Sequence, residues 1–219
     1  MTDRRAEPGA GDLARVTGGR DPVAFLDRAL GVIEGEIVPR TQAGVATGNK
    51  VFGAAILAKA DLATVVTSTN TETGNPLLHG EVQAITEFYA LPPGARPPAS
   101  ETIFVATHEP CPLCLSAIAW GGFDNFFYLF SYEDTRDAHG IALDIVMLEE
   151  VFGCAEGGYR AANRYWCGWA LRDLIGRVGG EAGPALAARA AALVEVYDGL
   201  SETYQTAKAE GRGADVPLS

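Results

Sequence analysis

The apolar positions of the chain change period several times, and each change marks an element. Val23, Leu26, Leu30, Ile33 and Ile37 recur at helical spacing. Asp21 before them suits an N-cap, and Pro22 suits the first helical position. The spacing predicts a helix over 21–38, followed by a Gly- and Thr-containing loop over 41–50. Two nearly continuous apolar runs come next, at 51–59 and 63–69, with Ala60-Asp61-Leu62 placed to turn an antiparallel pair. Residues 71–78 form a polar loop with an Asn75-Pro76 pair. Val82, Ile85 and Phe88 give 79–90 a helical period, and Pro92, Pro93, Pro97 and Pro98 make the next link a loop. A strand at 101–107, a helix at 111–121 and an aromatic-rich strand at 124–131 complete the middle of the chain. Alternation of this kind predicts an α/β fold of three layers, α/β/α, with a mixed central sheet.

Beyond that point the pattern is weaker. Residues 141–152 fit a helix or a strand, and the segment from Tyr159 onward reads as helical, broken at Gly179-Gly180. Leu186, Ala190, Leu193, Tyr197, Leu200, Tyr204 and Ala207 are spaced alternately by four and three, a heptad seam opened by Pro184. Such a seam packs either on its own domain or against a second subunit, and a homodimer is one expectation. The first twenty residues are polar and Gly-rich with no apolar period. The expected organisation is a mobile tail at 1–20, a catalytic domain at 21–155, a C-terminal helical extension at 156–210 and a flexible tail at 211–219.

A chain of 219 residues, 47% hydrophobic and 21% charged, is an ordinary globular protein with one sizeable core. This excludes a largely disordered chain, a collagen-like repeat and a disulfide miniprotein. The N-terminus has no apolar h-region, and no run approaches the roughly 18 apolar residues of a membrane span. The expected setting is cytoplasmic, with no membrane partner. In that reducing compartment, closely spaced cysteines point to metal or catalysis before disulfides.

Two short strings then stand out: His79-Gly80-Glu81, and Pro110-Cys111-Pro112-Leu113-Cys114. Cysteines three apart share a helix face, so both sulfurs can meet one ion. The positive end of a helix favours their thiolate forms. Two thiolates and the His79 imidazole leave a fourth zinc position open, the mark of a catalytic site. Cys111 and Cys114 as a disulfide, or as plain buried thiols, is the alternative. His79 and Glu81, two apart, do not share a face inside a helix and can flank one ion only at its first turn. The strings together match H-x-E followed by P-C-x-x-C, the signature of zinc-dependent nucleobase deaminases. In that chemistry zinc activates a water for attack on the ring carbon bearing the amine. Glu81 is then the catalytic proton shuttle and not a ligand.

On these residues the chain resembles the cytidine deaminase-like superfamily, and within it the branch of guanine deaminases and tRNA adenosine deaminases. Asn49-Lys50-Val51-Phe52-Gly53-Ala54-Ala55 is similar to that branch's first-strand signature, where Pro usually precedes the Phe. Asn75-Pro76 followed by His79-Gly80-Glu81 is similar to its N-P-x-x-H-A-E, with Gly80 in place of Ala. Glu109-Pro110-Cys111 resembles its E-P-C. The resemblance implies one zinc per chain on His79, Cys111 and Cys114. It also implies base binding by Asn70, for which an ordinary turn is the alternative, and packing of Phe52 under the base. Asp134-Thr135-Arg136-Asp137-Ala138 resembles a guanine deaminase segment loosely, and a charged helix cap explains it as well. Tyr132 and Trp166 are read as packing residues, His108 as near the site but off the metal, and Cys154 and Cys167 as plain thiols.

Charge narrows the substrate. The chain has 17 basic and 28 acidic residues, a net charge of −11, and between Pro22 and Ala155 six basic face sixteen acidic. A nucleic-acid polymer needs several Lys or Arg on its phosphates, and a nucleotide needs at least one placed cation. The expected partner is therefore a small-molecule base or nucleoside, purine type first. Alternatives are a cytosine/cytidine or tRNA adenosine substrate, or a non-catalytic deaminase-like binding protein with structural zinc.

Overall fold

Neighbouring residues of the central strands face different helical layers, and this alternation organises the fold. The structure, a computed structural model, describes residues 8–139 and 142–212. The strands are β1 (Gly53–Ala58), β2 (Thr64–Thr69), β3 (Thr102–His108), β4 (Asn125–Phe130) and β5 (Cys167–Ala170). The α-helices are α1 (Ala10–Thr17), α2 (Pro22–Val32), α3 (Val38–Ala46), α4 (Gly80–Ala90), α5 (Pro112–Trp120), α6 (Tyr132–His139), α7 (Leu143–Phe152), α8 (Leu171–Gly176) and α9 (Ala182–Ala209). The sheet order is β2-β1-β3-β4-β5. β1 runs antiparallel to β2 and β3, while β3, β4 and β5 are parallel. The sheet is thus mixed, as expected. Ala54, Ile56, Phe104 and Phe126 pack with Ala84, Phe88, Leu115 and Ile118 of α4 and α5. Ala55, Leu57, Val105 and Phe127 belong to the opposite core, with residues of α2, α3, α8 and α9. These are the three layers that the alternation of elements predicts.

Four expectations need correction. The helix expected at 21–38 does not stop there, and the expected loop at 41–50 is helical as far as Ala46. A proline such as Pro39 normally interrupts a helix by removing one N–H and crowding the preceding turn. Here one π turn, Ile33–Ile37, opens the ladder just before it, and Val38 N–H bonds back to Ile33 C=O. Residues 1–20 are not all tail, because α1 occupies Ala10–Thr17 and seats Val16 fully in the core. Its two large apolar residues, Leu13 and Val16, are too few to show a period. The segment beyond 155 is not purely helical, since β5 adds a fifth strand to the sheet. Gly168 is the reason this strand fits: a Cβ there would stand 2.4 Å from the Phe126 ring. A boundary at 155 would cut one sheet. Residues 1–7 and 213–219, the start of the first expected tail and most of the second, lie outside the described residues. The undecided stretch 141–152 is helical over Leu143–Phe152.

The heptad seam faces inward. All seven of its residues are buried, and α9 packs on α2, α3 and α8 of its own chain. Arg189 fastens it, bonding Asp27 at 2.6 Å and Glu34 at 2.7 Å. Fully buried Tyr197 sits in the middle, its ring 5.1 Å from that of Phe130 and 5.5 Å from that of His108. The choice between own domain and second subunit is therefore settled for this face. Tyr197→Ala is expected to cost about 3 kcal/mol or more in urea unfolding, as large aromatic deletions from packed cores do. Val196→Ala, one residue away and 37% exposed, is expected to stay within about 0.5 kcal/mol.

Candidate active site

The N-termini of α4 and α5 meet below one end of the sheet's central strands. His79 is the N-cap of α4, and Cys111 is the N-cap of α5 with Pro112 at the first helical position. Both caps are extended in backbone conformation, so each turns its side chain out of the helix before the ladder begins. Gly80 allows the approach: a Cβ there would lie 2.7 Å from Phe52 C=O and 2.8 Å from Gly53 Cα. With glycine, the first turn of α4 rests directly on β1. Glu109 steadies the other side. Its Oε2 accepts from Tyr132 N–H at 3.0 Å and its Oε1 from Tyr159 Oη at 2.8 Å. Tyr132 in turn donates to Pro110 C=O.

The outcome is a set of three soft donors. Cys111 Sγ stands 3.4 Å from His79 Nδ1, Cys114 Sγ 3.7 Å from it, and the two sulfurs are 3.5 Å apart. A tetrahedral zinc with ordinary bond lengths separates two sulfurs by about 3.8 Å and a sulfur and nitrogen by about 3.6 Å. The donors fit that ion in type, number and spacing, and His79, Cys111 and Cys114 form a candidate zinc site. All four cysteines are free, so no disulfide competes. Cys111 is held well below the usual thiol range, first by its hydrogen bond with Cys114 and then, against burial, by His79. Burial pushes the Cys114 thiol up. For His79 burial pulls downward, but the hydrogen bond and charge of Cys111 outweigh it and its pKa rises to about 9. A bound dication reverses this balance, because a coordinating thiol loses its proton outright.

Glu81, in the first turn of α4, is 5% exposed, and its charge acts on both His79 and Cys114. It stands beside the donor set without belonging to it. Burial, then the charge of Cys111, raise its pKa to about 7. In chemical terms this is a carboxyl group poised to exchange protons at neutral pH.

The donors open into a cavity of about 340 Å³, within the range of small-molecule sites. His79, Glu81 and Cys111 line it, as do Phe52 and His108. Phe52 meets His108 edge to face at 4.7 Å. Asn70 is completely buried and does not line the cavity. Its Oδ1 accepts from Glu72 N–H at 3.0 Å, while its Nδ2 has no partner. The turn and an available donor are thus both present at this residue. Four lining residues lie in no motif of the sequence, Glu72, Leu143, Asp144 and Met147, and Lys50 lies in one without an assigned role. Burial and the Cys111 charge raise the Asp144 pKa to about 7. Tyr132 and Trp166 are packing residues, away from the cavity. The Asp134 string is a cap: Ser131 N–H donates to Asp134 Oδ2 at 2.9 Å, and Arg172 pairs with Asp134 at 3.2 Å.

Residues 37–130 match the family model of the cytidine and deoxycytidylate deaminase zinc-binding region. Among solved structures, guanine deaminase from Bacillus subtilis is 29% identical, with 54% of this chain and 70% of that one covered and a TM-score of 0.42. Guanine deaminase from Nitrosomonas europaea is 18% identical over 87% of this chain and 99% of that one, at a TM-score of 0.44. The dCMP deaminase of cyanophage S-TIM5 is 15% identical over 63% and 96%, at 0.34. No curated protein matches the chain.

Folded protein prepared with zinc is expected to hold about one ion per chain by elemental analysis, with two sulfur ligands and one nitrogen by X-ray absorption. Cys111→Ala is expected to lose the ion, and Cys154→Ala and Cys167→Ala to keep it. Metal-free folded protein under these conditions would contradict the assignment.

Proposed function

We propose that this chain, whose residues 37–130 match the cytidine and deoxycytidylate deaminase zinc-binding region, hydrolyses an exocyclic amine from a small aminated heterocycle and releases ammonia. The observation that carries the reading is Glu81: a buried carboxyl beside a three-donor set, at the floor of a cavity of heterocycle size. A purely structural zinc site has four protein ligands and no use for such a group.

When bound, zinc supplies Lewis-acid activation of water. The chain's own residues do the rest. Glu81 takes a proton from the attacking water and delivers it to a ring nitrogen. It later passes a proton to the departing amine, so that ammonia leaves and the ring keeps a carbonyl. Phe52 offers an apolar face to a ring in the cavity. Asn70 fixes the backbone of Glu72 and holds Nδ2 as a donor.

Substrate class follows from charge. Glu72, Glu81, Glu109 and Asp144 line the cavity, against Lys50 alone among the described Lys and Arg residues. Such a wall repels phosphate. A free base, purine type first, or its nucleoside fits better than a nucleotide or a nucleic acid.

Ammonia release from a panel of purines, pyrimidines, nucleosides and nucleotides is the direct test, and no release from any member would overturn the reading. Glu81→Ala is expected to keep its zinc and fold while turnover falls about 10³-fold or more. Parallel loss of zinc would mean that Glu81 is a ligand. The monophosphate of the best substrate is expected to be slower in kcat/KM by at least about tenfold, roughly 1.4 kcal/mol in specificity.

A further inference from the structure

One charged pair in the cavity enters the reading above only through its charge. Lys50 precedes β1, and Glu72 lies in the loop after β2; both line the cavity. Lys50 Nζ is 3.2 Å from Glu72 Oε2, with the side chains 10% and 1% exposed. Neither Glu72 oxygen has an aligned hydrogen-bond donor, so the contact is an ion pair only.

A buried ion pair is costly unless the remaining donors and acceptors are met. An ammonium carries three donors, and among the described residues Lys50 Nζ meets Glu72 alone as an ion-pair partner. The segments that bear the pair are nevertheless fastened to each other. Asn49 Oδ1 accepts both the N–H and the hydroxyl of Thr73, each at 2.9 Å. Asn70 Oδ1 accepts the Glu72 N–H at 3.0 Å. Asn49, next to Lys50, and Asn70 and Thr73, which flank Glu72, are thus tied, which aims the pair and limits how far it can relax. Glu72 is the deeper member, and it neutralises Lys50 without covering it.

We propose that Lys50, held by Glu72, is a specificity-determining residue that donates a hydrogen bond to a ring carbonyl oxygen of the substrate. The inference rests on reading this cavity as the heterocycle site. A neutralised ammonium does not draw a phosphate into an acidic cavity, but it still offers N–H donors to a neutral oxygen acceptor. A site built to hydrogen-bond a group rejects the analogue that lacks it, because its own polar atoms are then left unpaired. Oxo-bearing aminated rings are thereby favoured over rings that differ only in lacking the oxo group.

Matched pairs isolate the contact. Guanine against 2-aminopurine, and cytosine against 4-aminopyrimidine, differ by one oxo group and the ring N–H that accompanies it, and report through ammonia release. Hypoxanthine against purine differs the same way, carries no exocyclic amine, and reports through calorimetric binding to the zinc-loaded protein. Wild-type protein is expected to favour the oxo member at least tenfold in binding, and in kcat/KM for whichever ring it turns over. Lys50→Met leaves Glu72 buried without its cation, so Lys50→Met/Glu72→Gln accompanies it as the variant that removes both charges. Zinc content and unfolding midpoint are checked first. The double variant is expected to bind hypoxanthine and purine within about threefold of each other while keeping its zinc. Oxo-selective binding without ammonia release from any base would leave this inference standing and sink the deaminase reading. Ammonia release with an oxo preference that survives in the double variant would overturn the inference and leave the deaminase reading intact. Equal wild-type affinity for hypoxanthine and purine, no binding of hypoxanthine, or a Lys50→Met defect confined to nucleotides would also overturn it.

Discussion

Three soft donor atoms from two separate helices have to arrive within 3.7 Å of one another. A cysteine pair three residues apart achieves half of this within one helix turn. The imidazole has to come from elsewhere, and it comes from the N-cap of a helix lying on a different strand crossover. The rest of the fold serves this meeting. α4 and α5 share one layer because β1 and β3 are sheet neighbours. Gly80 sets the depth of α4 against β1 to within the width of a methyl group. Glu109, held by Tyr132 and Tyr159, sets the entry to α5. The convergence therefore depends on backbone placement at a few positions and very little on the donors themselves.

Much of this was legible in the sequence. The elements from 51 to 130 carry long apolar runs with clear punctuation, and their order predicts the mixed sheet. The zinc donors and Glu81 stand in short strings whose spacing has a geometric reason. The misses share a physical character. Helix α3 was hidden by Pro39, whose cost is absorbed by a π turn that no local pattern announces. Strand β5 has four residues and exists because Gly168 leaves room for Phe126. Helix α1 has only two large apolar residues, and its place is set by the core that receives Val16. Each is an element whose identity is decided by a distant partner.

The cavity wall was the least legible part. Lys50 and Glu72 are 22 positions apart and separated by a hairpin, and a charge count treats them as two unrelated surface residues. That count identified the acidic balance of the region correctly, yet it could not show that one of the six cations is buried in the cavity. Asn70 shows the same limit in another form. Its two readings, turn residue and base contact, draw on opposite ends of one amide; the oxygen makes the turn, and the nitrogen is unpartnered but buried off the cavity.

The position of α9 has a consequence for how the protein is made. Arg189 clasps Asp27 and Glu34, partners 162 and 155 residues earlier in the chain. Tyr197 on the same helix supports His108, which lines the cavity. At ordinary translation speeds of about 5–20 residues per second, roughly ten to thirty seconds pass between the emergence of α2 and that of its last packing partner. From about the middle of that interval all three metal donors have been synthesised, while the apolar flank of α2 and the back of the sheet are still uncovered. The nascent chain thus holds the means to capture its ion before it holds the helix that closes its core. An early-bound ion at the junction of α4 and α5 would pin the sheet's central strands together and shorten the list of wrong partners open to the exposed face.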